Sequence, residues 1–537
     1  MEIEYDVVVA GSGAGGGFCA MRLCQRGFRV LLLERGRRYD FTKDYPLNHT
    51  DWELHRDPLQ KNPLLFERAP GALISAEDHH LCTRFYGSDG TSYRSATPKH
   101  RGEMVYQRAI GVGGSTLHYE GEAHRFPEHA FRSKSLYGWG TDWPIDYHQL
   151  APYYDQAENI LGVAGKPGNP FRPEPENYPT PAHPLSYSSR VFAEQAKALG
   201  WTVWPNTLAL PTRSIDGRSP CQKSGGCLNG CIFGAKSSVD QTAIKIAEAT
   251  GNLTLQTDSR LIRIETDFNG EVARYIYKHG MEEKSVKAKR YVLALGALET
   301  PRLLLHSKSA SHPDGLGNQY DNVGRYFNET ISAIMELRGS QIQQTYKGPP
   351  LDNRIWEPSV PKHPLKTGYS IGIAGVISSL VGPLSYARLI PGIGLKHKQT
   401  MREQFGRVLQ IFGIAEHIPD RRNRVTLGTS ADADGVPYLR LFSDYNELDK
   451  MALHAMIRDV ERLSELPQMG RKVTLNSTLD RPGAAHVGGT CRFGDDPETS
   501  VTEASGRIHG MINQYIADGS LLPCLGPGDS PSLTIQA

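Results

Sequence analysis

Residues 5–34 constrain the fold more than any other stretch. Val7 to Ala10 form an apolar run that reads as a buried strand, and it breaks directly into Gly11-Ser-Gly13-Ala14-Gly-Gly16. A helix-like segment follows, with Phe18, Ala20, Met21 and Leu23 apolar and Arg22 and Arg26 polar. Gly27 closes it, and a second apolar strand, Val30 to Leu33, ends on Glu34. Each part answers a need of dinucleotide binding. Gly11 permits a tight turn, Gly13 lets backbone approach a pyrophosphate, and Gly16 lets helix and strand pack closely. The helix N-terminus turns its free N–H groups and positive dipole end toward the phosphates. Glu34 stands where a carboxylate accepts the hydroxyls of an adenosine ribose. Glycines at this spacing are weak evidence alone, since a ligand-free turn reads the same way. Strand, glycines, helix, strand and acid in this order predict a dinucleotide-binding unit.

The rest of the chain limits what that unit serves. At 537 residues it exceeds one core, so two interleaved domains are expected. A net charge of +2 gives no reason to expect nucleic acid or an anionic membrane as partner. No apolar run approaches the roughly 20 residues of a membrane span. The first strand begins within a few residues of Met1, so no signal peptide is expected, and any export is expected to ride on a partner that carries one. Of eight cysteines, Cys221, Cys227 and Cys231 crowd together and the others scatter. That pattern predicts one ligand cluster plus ordinary buried thiols, not a disulfide framework.

From Glu34 to about residue 100 the sequence is polar and loop-like, too long for a plain connection, and reads as an excursion over a ligand or toward a partner. A second glycine-dense turn follows at Gly111-Val-Gly113-Gly114-Ser115-Thr-Leu-His118-Tyr119. Asp146 is the expected N-cap of a helix with Leu150, Tyr153 and Ala157 on one face. After a Pro-rich linker at 166–184 and the cysteine cluster come a helix from Asp240 to Ala249, a strand Leu253–Gln256 and a β-meander to Lys287. Arg290 to Leu305 reads as strand, glycine turn and helix. Residues 330–475 alternate as a mixed sheet with a helix around 446–465, and the tail from His486 is again glycine-rich.

Together these motifs resemble the glucose–methanol–choline family of flavin oxidoreductases from end to end. The matching pieces are Gly11-x-Gly13-x-x-Gly16 with Glu34, Gly113 to Tyr119, Trp143-Pro-Ile with Pro152-Tyr-Tyr, Leu293 to Pro301, His486-Val-Gly-Gly-Thr-Cys-Arg-Phe-Gly494, and Ala517-Asp-Gly-Ser with Ser530-Pro-Ser-Leu-Thr-Ile535. Within the family the chain looks most like the flavin subunits of bacterial sugar dehydrogenases (the glucose, fructose and gluconate type) and glycoside 3-dehydrogenases. The resemblance implies an α/β fold: a Rossmann-like FAD-binding domain interleaved with a substrate domain carrying a mixed β-sheet. The expected segments are 1–120 for FAD, with an excursion at about 38–105, then 121–220 for the substrate domain and linker. Residues 221–329 hold the cysteine cluster and more of the FAD domain, 330–475 the main substrate sheet, and 476–537 the last FAD-binding and catalytic segment.

The resemblance also assigns roles. FAD is the cofactor, its ADP half held by Gly11, Gly13, Ala14, Gly16 and Glu34. Gly113, Gly114 and Ser115 line the isoalloxazine, Asp518 sits by the ribityl-pyrophosphate, and His118 stands where some relatives attach FAD covalently. His486 is the expected base, because an imidazole titrates near working pH and can take a hydroxyl proton while hydride leaves the same carbon. The family's usual Asn or His partner is replaced by Ser530, which donates a hydrogen bond but cannot serve as base; Asn513 is a candidate substitute. Glu416 and His417 match a stretch that faces substrate, with a surface salt-bridge pair as the plainer reading. The loop carrying Cys221, Cys227 and Cys231 resembles a [3Fe–4S] site, with bare thiols, a disulfide or zinc as competitors.

A cluster there implies one-electron exit to an external acceptor, such as a cytochrome c, and a small accessory subunit that supplies export to the periplasm; the alternative location is the cytoplasm. The expected substrate is a sugar or glycoside hydroxyl. The rivals are an oxidase of long-chain alcohols, sterols or glycosides releasing hydrogen peroxide, and a catalytically weakened flavoprotein that only binds ligand.

Overall fold

The computed structural model describes residues 5–45, 83–86, 92–94, 106–344, 348–374, 387, 392–478, 486–526 and 536–537. Most of the expected excursion after Glu34, and Ser530, lie outside these residues.

The predicted opening unit forms as β1 (Tyr5–Ala10), α1 (Ala14–Gln25) and β2 (Val30–Leu33). With β3 (Leu253–Gln256), β4 (Ala288–Leu293) and the short strand Gln514–Ile516 it makes a parallel sheet in the order Gln514–Ile516, β4, β1, β2, β3. A parallel sheet is covered on both faces, which is why its strands read as unbroken apolar runs. Val8, Ala10, Leu31 and Leu33 enter one core, while Val7, Val9, Val30 and Leu32 enter another with Phe18, Ala20 and Met21 of α1. The expected meander between β3 and β4 is an antiparallel sheet of Ser259–Thr266, Val272–His279 and Glu282–Val286. The expected helix after β4 is α2 (Gly296–His306).

The second large sheet contains β5 (Asn328–Arg338), β6 (Tyr369–Ala374), β7 (Val408–Glu416) and β8 (Arg471–Ser477) in the order β6-β7-β5-β8, paired antiparallel throughout. The parallel contribution to this half of the molecule is in a smaller sheet, where Pro437–Ser443 runs parallel to Ser92–Arg94. Helix α3 (Glu447–Ser464) starts at Asn446 with a reciprocal capping box to Asp449. It covers one face of the sheet: Ile331, Ala333, Met335 and Leu337 of β5 and Leu409, Ile411 and Ala415 of β7 pack with Leu453, Met456 and Val460. Gly413 is the point of closest approach, where a Cβ would lie 2.5 Å from Met456. By strand alternation, Thr330, Ser332, Ile334, Phe412, Ile414 and Glu416 point to the opposite face.

The helix Tyr147–Leu161 is capped by Asp146 as expected, but its buried face differs from the one read from sequence. Ala157 is buried as expected, but Tyr153 is exposed and Tyr154 buried, because the inward stripe runs Tyr147, Tyr154, Ala157, Glu158 and Leu161. The Tyr154 hydroxyl accepts from the backbone N–H of Phe126 at 3.1 Å, and Glu158 binds Arg125, so two polar groups enter the stripe with partners.

Candidate active site

The first glycine turn is closed by backbone on backbone. Gly11 has φ +98°, and a Cβ there would stand 2.3 Å from the Ala294 carbonyl oxygen; one at Gly15 would stand 2.0 Å from that of Ala517. Gly13 is different, since its nearest neighbour would be the Cα of Gly114 at 4.0 Å. No side chain caps α1, so its first N–H groups remain for an anionic ligand. Glu34, buried at the end of β2, accepts from the Ser12 hydroxyl at 2.6 Å and from the Gly36 N–H at 2.9 Å. Burial pushes its carboxyl pKa upward against these bonds. Ser12 Oγ in turn accepts from the Gly113 N–H at 3.1 Å, so the acid also fixes the second glycine turn. That turn wedges in tightly: Gly111 lies against Gly36, and Gly114, at φ +54°, against Gly13. Ala14 opens α1, and Ser115 is exposed beside the two turns. Asp518 accepts from Thr300 Oγ1 at 2.6 Å, Gly296 N–H at 2.9 Å and Ser520 N–H at 2.8 Å, fixing α2 against the tail. An uncapped helix end, two fused glycine turns and an acid after β2 fit the ADP half of FAD.

The turn is tied to the cysteine loop. His118 Nδ1 lies 2.7 Å from the Leu228 carbonyl oxygen. Buried Lys236 donates to three carbonyls, of Leu117 at 2.7 Å, Tyr119 at 3.1 Å and Cys227 at 2.7 Å. The metal-site expectation fares less well. Among the described residues no three His, Cys, Asp or Glu side chains gather closely enough to hold a metal ion. Cys227 is buried against Leu208 and Leu210, with Cys221 packed on the same cluster, and the described cysteines are free thiols. Burial raises the pKa of Cys221 and Cys227.

His486 precedes the strand Val487–Gly488, which pairs with the start of β5 through Glu329↔Val487. Its Nδ1 lies 2.9 Å from Thr330 Oγ1, on the sheet face that α3 leaves uncovered. The segment behind it is fastened to the Asp518 loop, with Cys491 N–H donating to Ser520 at 2.9 Å and Phe493 N–H to Leu521 at 3.0 Å. Burial lowers the His486 pKa to about 4; the charge of Glu122 raises it and that of Arg354 lowers it further. The imidazole is therefore neutral at ordinary pH. With Nδ1–H donating to Thr330, Nε2 carries the lone pair.

Glu122 and Arg354 form a buried ion pair that nothing in the sequence marked. Arg354 Nε donates to Glu122 Oε1 at 3.0 Å, Nη2 closes on the same oxygen, and Asn206 Nδ2 donates to it at 2.9 Å. Burial opposes ionisation of Glu122, yet the charge of Arg354 lowers its pKa to about 2. Glu120, two residues back, shows the reverse. Burial, then the charge of Glu122, hold its carboxyl protonated up to about pH 8.

The remaining candidates separate. Glu416 and His417 are not a surface pair, since both are buried. Glu416 accepts from the N–H groups of Leu525 at 3.2 Å and Gly526 at 3.1 Å, at the root of the segment that carries Ser530. His417 Nε2 lies 3.0 Å from the Asp444 carbonyl oxygen and 3.1 Å from Asn423 Nδ2, a structural position. Asn513 is not brought to His486. Its amide clips the strand Val272–His279, donating to the Val272 carbonyl at 2.9 Å and accepting from the Val272 N–H at 3.2 Å.

Family models described as GMC oxidoreductase match residues 14–329 and 419–537. The chain belongs to the GMC oxidoreductase family. It is thus an oxidoreductase acting on CH–OH groups, in a family that implies FAD. Among its relatives is 2-methyl-1,2-propanediol dehydrogenase of Mycolicibacterium austroafricanum, 32% identical over 99% of this chain and 93% of that one. Paromamine 6'-oxidase of Streptomyces fradiae is 29% identical over 99% of this chain and 89% of its own length. The fructose dehydrogenase large subunit of Gluconobacter japonicus is 26% identical, covering 100% and 96%. The crystal structure of pyridoxine 4-oxidase from Mesorbium loti shares the fold with a TM-score of 0.65 at 18% identity, covering 99% of this chain and 98% of that one.

Proposed function

We propose that this GMC oxidoreductase is a dehydrogenase that oxidises a hydroxyl of a sugar, glycoside or related polyol and passes the electrons to an external acceptor. FAD, when bound, supplies the hydride acceptor. The observation that carries the proposal is the placement of His486, its Nδ1 2.9 Å from Thr330 Oγ1 on the sheet face opposite α3, where burial favours the neutral imidazole. A hydroxyl placed against Nε2 loses its proton to His486, with Ser530 as the expected second donor to the substrate oxygen. Glu416 supports that role by holding the N–H groups of Leu525 and Gly526 just ahead of Ser530. Thr330 keeps the ring from turning, and the glycine turns and Glu34 hold the cofactor.

Relatives named as a diol dehydrogenase and a fructose dehydrogenase large subunit support a polyol substrate, a dehydrogenase and an accessory subunit. Export to the periplasm with that subunit is the location this reading favours. The bonds from Lys236 and His118 to the cysteine loop support electron exit on that side of the cofactor. A [3Fe–4S] cluster there would require the three sulfurs to turn toward one another, and hydroxyl oxidation does not depend on it.

The test is anaerobic reduction of the flavin-loaded protein by a panel of sugars and alcohols, followed by reoxidation with either O₂ or a dye, with iron and acid-labile sulfide measured on the same sample. Bleaching by a polyol and fast reoxidation by dye but not by O₂ are expected. Rapid reoxidation by O₂ with peroxide release would make the protein an oxidase instead.

A further inference from the structure

Arg354 stands at one edge of the substrate sheet. Its neighbour Ile355 bridges to Ile371 of β6 and packs in the core under α3, so Arg354 points to the opposite face, the one that carries Thr330. The guanidinium lies over the ring of Phe412, 4.4 Å from its centre. Gly372 makes that possible. It pairs with Phe412 across β6 and β7, and a Cβ there would come within 2.9 Å of the Phe412 ring. Phe412 pairs in turn with Ile334, four residues along β5 from Thr330, or roughly 13 Å of strand. Between the two ends, Ser332 and Ile334 of β5 keep access to solvent, whereas the residues facing α3 are buried. The face thus holds the base at one end, a partly open floor, and a guanidinium at the other.

Arg354 is fully buried, and its Nη1 has no hydrogen-bond partner. An orphaned donor on a buried guanidinium is costly unless something else completes it. Its charge is already balanced by Glu122, so the free N–H suits a neutral oxygen better than an anion. We infer that Arg354 Nη1 binds a hydroxyl or ether oxygen of the substrate remote from the carbon whose hydroxyl meets His486, which makes Arg354 a specificity determinant for neutral polyhydroxy substrates. Glu122 and Asn206 act behind it by fixing the guanidinium. This rests on the hydroxyl-oxidation reading above. The plainer role for the same pair is a weld between the flavin-side segment and the substrate sheet.

The flavin-loaded protein is assayed with dye against glucose, its 2-, 3-, 4- and 6-deoxy analogues, fructose, 2-methyl-1,2-propanediol and 1-butanol. Arg354→Lys keeps a positive charge beside Glu122 but removes the free arm of the fork. The ratio of kcat/KM for the best polyol over that for 1-butanol is expected to fall about 10- to 100-fold, mainly through KM, which is the worth of a charged hydrogen bond. A weld alone would change both substrates together and leave the ratio within about 3-fold, which would overturn the inference. The wild-type deoxy series needs no variant. At least one remote deoxygenation is expected to cost as much as Arg354→Lys, and if none does the inference fails. Flavin bleached by 1-butanol and by no polyol also overturns it, while leaving hydroxyl oxidation standing. Flavin bleached by no hydroxyl compound overturns hydroxyl oxidation itself.

Discussion

The two halves of the active region are built on opposite principles. The cofactor side is shaped by missing side chains: Gly11, Gly15 and Gly16 let a helix, a strand end and a turn close at distances that a Cβ would forbid. The substrate side is shaped by side chains that meet from far apart in the chain, Glu122 with Arg354 and Thr330 with His486. A backbone device tolerates almost no substitution and repeats in a recognisable pattern. A side-chain device can be assembled from any segments the fold brings together.

The largest expected effect breaks the backbone device. Gly15→Ala puts a methyl 2.0 Å from the Ala517 carbonyl oxygen, a backbone atom that cannot swing aside, so helix and tail must separate. The protein is expected to be recovered without flavin or not at all. Gly13→Ala sharpens the contrast, because its Cβ meets nothing closer than 4.0 Å. That variant is expected to fold with a normal melting temperature as apoprotein and to bind flavin weakly, since the methyl stands where the pyrophosphate passes. Flavin absorbance per chain decides both. A Gly15→Ala protein that keeps a full complement of flavin would refute the account of the turn.

The substrate side gives the next largest effect. His486→Ala is expected to keep its flavin and lose about 10²- to 10⁴-fold in kcat, the usual worth of a general base. The pH profile is the finer probe. A base with a pKa lowered to about 4 is competent at every pH above that value, so the acid limb of kcat/KM for the wild type should lie near pH 4 and not near the ordinary histidine value of about 6.5. A limb near 6.5 would mean that the ring is better solvated than the structure shows.

How much of this was legible follows from the same contrast. The opening βαβ unit, the second glycine turn, the meander and the helix cap at Asp146 all rest on interactions within a few residues or on apolar periodicity, and the sequence shows them. His486 was legible only as part of a glycine-rich motif. Glu122 and Arg354 are 232 residues apart, and Arg354 follows an Asn in a stretch with no pattern of its own, so no local signal could pair them. Glu416 read as facing substrate, with a surface pair as the alternative, because charge followed by histidine gives no sign of what it is buried against. Asn513 looked available for substrate because its two bonds go to a strand that is 241 residues away. The cysteine spacing was plain to read, but spacing does not report which way each sulfur turns.

The smallest expected effect tests the junction between the two devices. Glu120 follows the second glycine turn and precedes Glu122, and its Oε1 is buried with no partner. Burial holds its carboxyl protonated up to about pH 8 in the folded protein, against an ordinary value of 4.5. Between those values the unfolded chain has released a proton that the folded chain retains, so this group makes stability fall as pH rises through that window. Glu120→Gln removes the titration. Near pH 4.5 the variant and the wild type should melt together. At pH 8.5 the variant should melt higher, by roughly 1 °C for each kcal/mol of relieved cost in a chain of this length. An equal difference at both pH values would mean that Glu120 is ionised throughout and held by Arg354 and Lys236, whose charges act in that direction. The junction would then carry a second anion beside the Glu122–Arg354 pair, and the charge balance that favours a neutral substrate at Arg354 Nη1 would shift toward a substrate bearing a positive charge.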